Sequence, residues 1–217
     1  MDDKHYKIIY EDDWLLVVDK PSGMLVIPTP KKETNTLTDL LNKDMDSRGV
    51  EANAHPCHRL DRDTSGLIIY AMGKKTQALM MDEFKKRRVK KRYIAFAHGR
   101  VKNDFGAIES PIYSRKKRRK EAAITRYKVI ERKKDYTVLE VEPVTGRTNQ
   151  IRIHFKELGH PLVGEDVYAF RRDFKLRFKR VALHAKSIEF TQPLTKKHLR
   201  FDSPLPADMQ NFLQRKN

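Results

Sequence analysis

Residues His58 to Ala71 read HRLDRDTSGLIIYA, and no other stretch limits the fold so sharply. Five ionisable side chains, His58, Arg59, Asp61, Arg62 and Asp63, stand within six residues. Thr64, Ser65 and Gly66 then make a turn sequence, and Leu67 to Ala71 form a short apolar run of the kind that fills a buried strand. Burying charge is costly unless the charge is paired. A chain that sets charges at the lip of a core strand must therefore bring their counter-charge from elsewhere in the fold.

The rest of the chain alternates short strands with helices. IIYEDDWLLVVDK reads as two strands around an Asp turn. TNTLTDLLNKDM places Leu37, Leu40 and Leu41 at helical spacing, with Asn35 or Thr36 as its cap. KKTQALMMDEFKKRR repeats apolar residues as a helix does, and KRYIAFAHGRV is strand-like. ITRYKVIE and YTVLEVEPV read as a hairpin with Tyr127, Val129, Leu139 and Val141 facing in and Glu140 and Glu142 facing out. TNQIRIHFKELG reads as a helix with Ile151, His154, Phe155 and Leu158 on one face, Thr148 as its cap and Gly159 at its end. VALHAKSIEF and KKHLRF make a last hairpin, and PADMQNFL a last helix. Strands outnumber helices and join mostly by short turns. The expected fold is α+β, a single domain over residues 1–217 with a mixed, largely antiparallel β-sheet flanked by helices.

Charge narrows the choice of partner. Forty-six Lys and Arg stand against 29 Asp and Glu, a net charge of +17 that biases the surface toward a polyanion. Nucleic acid is the first candidate and an anionic membrane the second. No apolar run approaches the ~18–20 residues of a spanning helix, and MDDKHYKIIYEDD is too polar for a signal peptide. A cytoplasmic protein is expected, with a monomer as the default. KKRRVKKR (Lys85 to Arg92) and RKKRRK (Arg115 to Lys120) each read as a solvated face, a floppy loop or phosphate contacts; together, in so basic a chain, they favour phosphate. The single cysteine, Cys57, excludes an internal disulfide. HPCH (His55 to His58) lacks the second cluster that a four-ligand zinc site needs.

Asp61 by itself reads as an Asx turn or a helix cap. HRLD brushes against the kinase catalytic loop, but no Gly-rich loop, VAIK-like lysine or DFG accompanies it. The whole of HRLDRDTSGLIIYA closely resembles the signature of the RluA family of RNA pseudouridine synthases. Further matches follow in family order: DKPSGMLVIP (Asp19 to Pro28) resembles the K-P-x-G segment, and KKRYIAFAHGRV the second motif, centred on a tyrosine. EAAITRYKVIE, PVTGRTNQIRIHFKELGHPLVGEDVY and VALHAKSIEFTQPLTKKHLRFDSPLP resemble the stretches that come after. Asn149 stands where many relatives carry His, and Thr191–Gln192 where His-Pro is usual. No S4-like extension is expected before the core, since the K-P-S-G segment already begins at Lys20.

The resemblance implies a structured RNA partner, transfer RNA or large-subunit ribosomal RNA or both, no cofactor, no metal and a set of roles. Asp61 would be the catalytic carboxylate, acting as nucleophile or stabilising charge as carboxylates do in glycosyl transfer. Arg152 would keep that carboxylate ionised and oriented. Tyr93 would stack on the uracil and could relay its C5 proton. Arg59 would fill the gap left by the flipped base or hold the displaced strand, and Lys20 would touch phosphate. Thr64 stands among the substrate contacts, although with His58, Ser65 and Gly66 it also reads as a shaper of the turn. Two rivals differ in kind: an RNA-binding protein without catalysis, which has no need of a carboxylate facing a polyanion, and an N-glycosylase, which would release the base.

Overall fold

The computed structural model describes residues 6–169 and 176–215, which pack as two compact units. The first unit takes the described residues up to Val89 together with Ser187–Ser203; the second takes Lys90–Lys186 and the residues from Pro204 onward.

The first unit opens with strands β1 (Lys7–Glu11) and β2 (Leu15–Lys20), an antiparallel pair. Asp12 makes the turn between them: its Oδ1 accepts from the backbone N–H groups of Trp14 and Leu15 at 2.8 and 2.6 Å. Helix α1 (Leu37–Ser47) starts on a capping box, with Thr36 and Asp39 each satisfying the other's backbone N–H. Strand β3 (Ala54–Pro56) and strand β2 flank β4 (Ser65–Met72), both antiparallel to it. Helix α2 (Lys74–Lys85) packs on β4. Leu15 to Val18 and Leu67 to Ala71 are buried without alternation, so β2 and β4 are covered on both faces, and this is why their sequences are continuously apolar. Leu15, Val17, Leu67, Ile69, Met80 and Phe190 lie in one core cluster.

The second unit holds β5 (Lys90–His98), β6 (Phe105–Glu109), β7 (Ile112–Ser114), β8 (Arg119–Glu121), β9 (Ile124–Arg132) and β10 (Tyr136–Pro143). β5, β10, β9 and β6 pair in that order, each antiparallel to its neighbour, while β7 and β8 form a separate hairpin. Helix α3 (Gln150–Glu157) packs on β9 and β10. Strand β11 (Leu183–Thr191), whose residues from Ser187 onward belong to the first unit, pairs antiparallel with β12 (His198–Asp202). Helix α4 (Ala207–Gln214) closes the chain and puts Met209 and Phe212 into a core with Phe96, Tyr136 and Val138.

The α+β class and the antiparallel pairing agree with the sequence expectation. One local expectation does not hold. Thr148 is not the cap of α3: the capping position falls on Asn149, in the left-handed region at φ 55°, with no side-chain cap bond. The amide of Gln150 instead braces the segment that leads into the helix. Its Oε1 accepts from the Thr145 hydroxyl and from Arg147 N–H, and its Nε2 donates to Ile124 O and Thr125 Oγ1. The run Arg115–Lys120 forms the tip and returning strand of the β7–β8 hairpin, with all six side chains exposed. Among the described residues, no helix is long and apolar enough to cross a membrane.

Candidate active site

The charged lip before β4 is built from the backbone outward. Thr64 N–H donates to Asp61 O at 3.2 Å and closes a turn over Asp61, Arg62 and Asp63. The K-P-S-G segment after β2 then holds that turn by its carbonyls. Gly23 N–H and Lys20 Nζ both donate to Arg62 O at 2.9 Å, and the Ser22 hydroxyl donates to Asp63 O at 2.9 Å. Lys20 Nζ also donates to Pro21 O and Met24 O at 2.8 Å each. Gly23 takes part from φ 83°, a conformation that favours glycine. The Asp61 side chain stays half-buried at the rim.

Lys20 therefore departs from its expected role. It is 0% exposed, and carbonyl oxygens rather than phosphates receive its hydrogens. The physical reason is register: Lys20 sits opposite Gly66 in the β2–β4 pair, which turns its side chain under the loop that Asp61 occupies. Thr64, 2% exposed, is likewise part of the turn's frame. His58 shapes the same region. Its Nε2 accepts from Ile69 N–H at 3.1 Å, which fixes the ring's hydrogen on Nδ1, and its ring packs 4.7 Å from that of Phe84. Arg59 is exposed two residues before Asp61, and Arg62 pairs with Glu33 at 3.3 Å.

In the second unit, Arg152 is 9% exposed on α3, as its apolar neighbours Ile151 and Ile153 imply. Two carboxylates lie within reach of it there, Asp166 at 3.9 Å and, far closer, Glu165, a residue not singled out in the sequence. Nε and Nη2 donate to the two Glu165 oxygens at 2.7 Å each, a bidentate pair. Burial by itself would raise the Glu165 carboxyl. The Arg152 guanidinium and the N–H groups of Val167 and Tyr168 outweigh it and hold the carboxyl below its ordinary range. Gly164 makes this presentation possible: its φ is 76°, and a Cβ there would lie 1.8 Å from Arg180 O. The only trace of Glu165 in the sequence is an acidic pair directly after a glycine in a strongly basic chain.

α3 is itself pinned from below. Ser110 O can only accept, so His154 Nε2 donates to it at 3.0 Å, and Nδ1 meets the Thr125 hydroxyl at 2.9 Å. Thr125 in turn accepts from Gln150. This chain of bonds fixes the helix that carries Arg152 against β9. Tyr93, opposite Val141 in the β5–β10 pair, is 7% exposed. Lys91, two residues earlier, is half-buried, and burial pushes its ammonium down to about 8. Its Nζ lies 3.9 Å from the position a Cβ on Gly146 would take.

The first unit thus brings Lys20, Arg59, Asp61 and Thr64 together around one turn, and the second carries Tyr93 and Arg152. Comparison with known proteins bears on what such a site does. Residues 14–157 match a protein-family model described as RNA pseudouridylate synthase. The chain is 37% identical to YlyB of Bacillus subtilis, described as an uncharacterized RNA pseudouridine synthase, over 97% of this chain and 73% of that one. It is 35% identical to ribosomal large subunit pseudouridine synthase D of Nitrosomonas europaea, over 96% of this chain and 64% of the relative. Among solved structures, human RNA pseudouridylate synthase domain containing 1 superposes with a TM-score of 0.76 at 25% identity, covering 92% of this chain and 83% of that one. Human RNA pseudouridylate synthase domain containing 4 shares the fold with a TM-score of 0.82 at 23% identity, covering 95% and 91%.

Proposed function

Because the chain belongs to the RNA pseudouridylate synthase family, and is therefore an isomerase of uridine in RNA, we propose that Asp61 is its catalytic carboxylate. We further propose that its targets are uridines of large-subunit ribosomal RNA, with transfer RNA the other class that the family resemblance implies. Relatives named ribosomal large subunit pseudouridine synthase D, from Nitrosomonas europaea, Xanthomonas campestris and Pseudomonas aeruginosa, support the ribosomal choice.

The observation that carries the role of Asp61 is the loop beneath it. A half-buried carboxylate stands on a turn whose carbonyls are held by Lys20, Ser22 and Gly23. Such a carboxylate meets its substrate with little reorganisation. The reaction breaks N1–C1′ and makes C5–C1′. C5 gives up its proton and N1 ends bearing one, so nothing is oxidised and the mass is unchanged. Asp61 attacks the sugar or the ring, or stabilises the charge that develops as N1 departs. The uridine must leave its stack first, and the exposed Arg59 is suited to occupy the space it vacates. Tyr93 supplies the ring for the loosened base and a hydroxyl for the C5 proton. Arg152, already fixed by Glu165, is the cation that steadies developing negative charge.

The test is Asp61→Asn, assayed by tritium release from RNA labelled at uridine C5 and by filter binding. Turnover is expected to vanish while affinity stays near wild type, because the amide keeps the shape and phosphate contacts dominate binding. Retention of a tenth of wild-type turnover would sink the assignment. Mass analysis of the product separates isomerisation, which leaves RNA mass unchanged, from glycosylase action, which loses the base.

A further inference from the structure

Arg152 is held by more than its ion pair. A bidentate guanidinium–carboxylate pair fixes one edge of the guanidinium but leaves it able to fold about the line of its two hydrogen bonds. Two side chains oppose that motion here. The ring of Tyr168 lies 5.2 Å from the guanidinium carbon, and Nη1 donates to Asn149 Oδ1 at 3.3 Å. Asn149 and Tyr168 are also joined to each other, since Asn149 Nδ2 donates to the Tyr168 hydroxyl at 3.1 Å. The orientation of this amide is forced. A guanidinium has no acceptor, so only Oδ1 can face Arg152, and Nδ2 must face Tyr168. The left-handed backbone at Asn149, φ 55° and ψ 21°, places the amide one turn before Arg152, and Asn tolerates that conformation better than most residues. Glu165 ties in the far end, because its Oε1 accepts from Tyr168 N–H at 3.2 Å.

We propose that Asn149 and Tyr168 are positioning residues: ring, amide and carboxylate together lock the plane of the Arg152 guanidinium, so that the cation meets the reacting uridine in a single orientation. The Tyr168 hydroxyl acts through Asn149, and the ring acts directly. This rests on the reading of Arg152 as a catalytic cation.

The experiment measures initial rates of tritium release against RNA concentration, on C5-tritiated total RNA from cells lacking the gene. Such RNA contains the native substrate whichever uridine it is. Tyr168→Phe is expected to lower kcat about three- to ten-fold with KM unchanged, the loss of one net hydrogen bond. Asn149→Ala should lower kcat at least as far. The double variant should be no slower than Asn149→Ala alone, since the hydroxyl has lost what it acts on. Tyr168→Leu should fall below Tyr168→Phe, because the ring is gone as well. Losses that multiply in the double variant, that appear in KM, or that merely track the melted fraction of each variant would overturn the proposal. Arg152→Ala separates the two readings. If it turns over normally, the role of Arg152 itself fails; if it is inactive while the other losses multiply, the role stands and the lock fails.

Discussion

Replacing Lys20 with Met tests the frame under Asp61. Met fills much the same volume but donates nothing. The Arg62 carbonyl keeps its bond from Gly23 N–H at 2.9 Å, whereas the Pro21 and Met24 carbonyls lose the donor they share at 2.8 Å. A buried acceptor left without a partner costs about 1–3 kcal/mol, so two cost about 2–6 kcal/mol. Removing a buried ammonium relieves part of this, since desolvating a charge is itself unfavourable. A net loss of about 2–4 kcal/mol is expected. At about 2–4 °C per kcal/mol for a chain of this size, the melting midpoint should fall by roughly 4–16 °C. The urea midpoint should move with the slope m unchanged, and kcat should fall more than KM, because the turn that carries Asp61 loosens. A lysine on phosphate would behave otherwise: stability would stay within about ±0.5 kcal/mol, and the slope of log K against log salt would drop by about 0.7–0.9. Unchanged melting together with a shallower salt slope would refute the placement of Lys20 as a loop support.

Two further outcomes are expected. Glu165→Gln should destabilise by about 3 kcal/mol at neutral pH, because one member of a buried pair is lost. The folded-state pKa of Glu165 is lowered from its ordinary 4.5, so its stabilisation is complete above that value and is lost as pH falls through the lowered one. The gap between wild type and variant in urea unfolding should therefore shrink below pH 4.5; a gap independent of pH would contradict the pairing. Replacing Arg115 to Lys120 with Ser should weaken RNA binding and spare turnover at saturating RNA. Lys117 already pairs with Glu121 at 2.5 Å; if three of the six side chains touch phosphate, the salt slope should fall by about 2–3, and an unchanged slope would mean a merely solvated tip.

Local order was legible wherever a side chain acts within a few residues of itself. The Asp turn before Leu15, the Thr36 cap and the His58 turn each depend on bonds spanning no more than about a dozen positions, and the apolar runs of β2 and β4 announce their own burial. The family resemblance supplied Asp61, Tyr93 and Arg152 as candidates, but not the groups that support them. Lys20 looked like one more cation in a basic chain because its Arg62 partner lies 42 residues away. Periodicity put Arg152 beside a buried stripe and said nothing of Glu165, which follows α3 on a glycine turn. Propensity favours a hydroxyl cap at Thr148, whereas α3 starts from a left-handed Asn149 and the Gln150 amide braces the segment before it, through contacts as far as 26 residues back in the chain.

The turn beneath Asp61 has a consequence for how such an enzyme can change its target. Ser22, Gly23 and Lys20 grip the backbone carbonyls of Arg62 and Asp63, not their side chains. Substitutions at those two positions leave every one of these bonds in place. On the reading proposed above, the exposed Arg59 and Arg62 can be exchanged to suit a different RNA neighbourhood while the Asp61 carboxylate keeps its seat. On that reading, recognition and chemistry share one short loop yet mutate separately, and a lineage can acquire a new uridine without first surviving the loss of the old reaction.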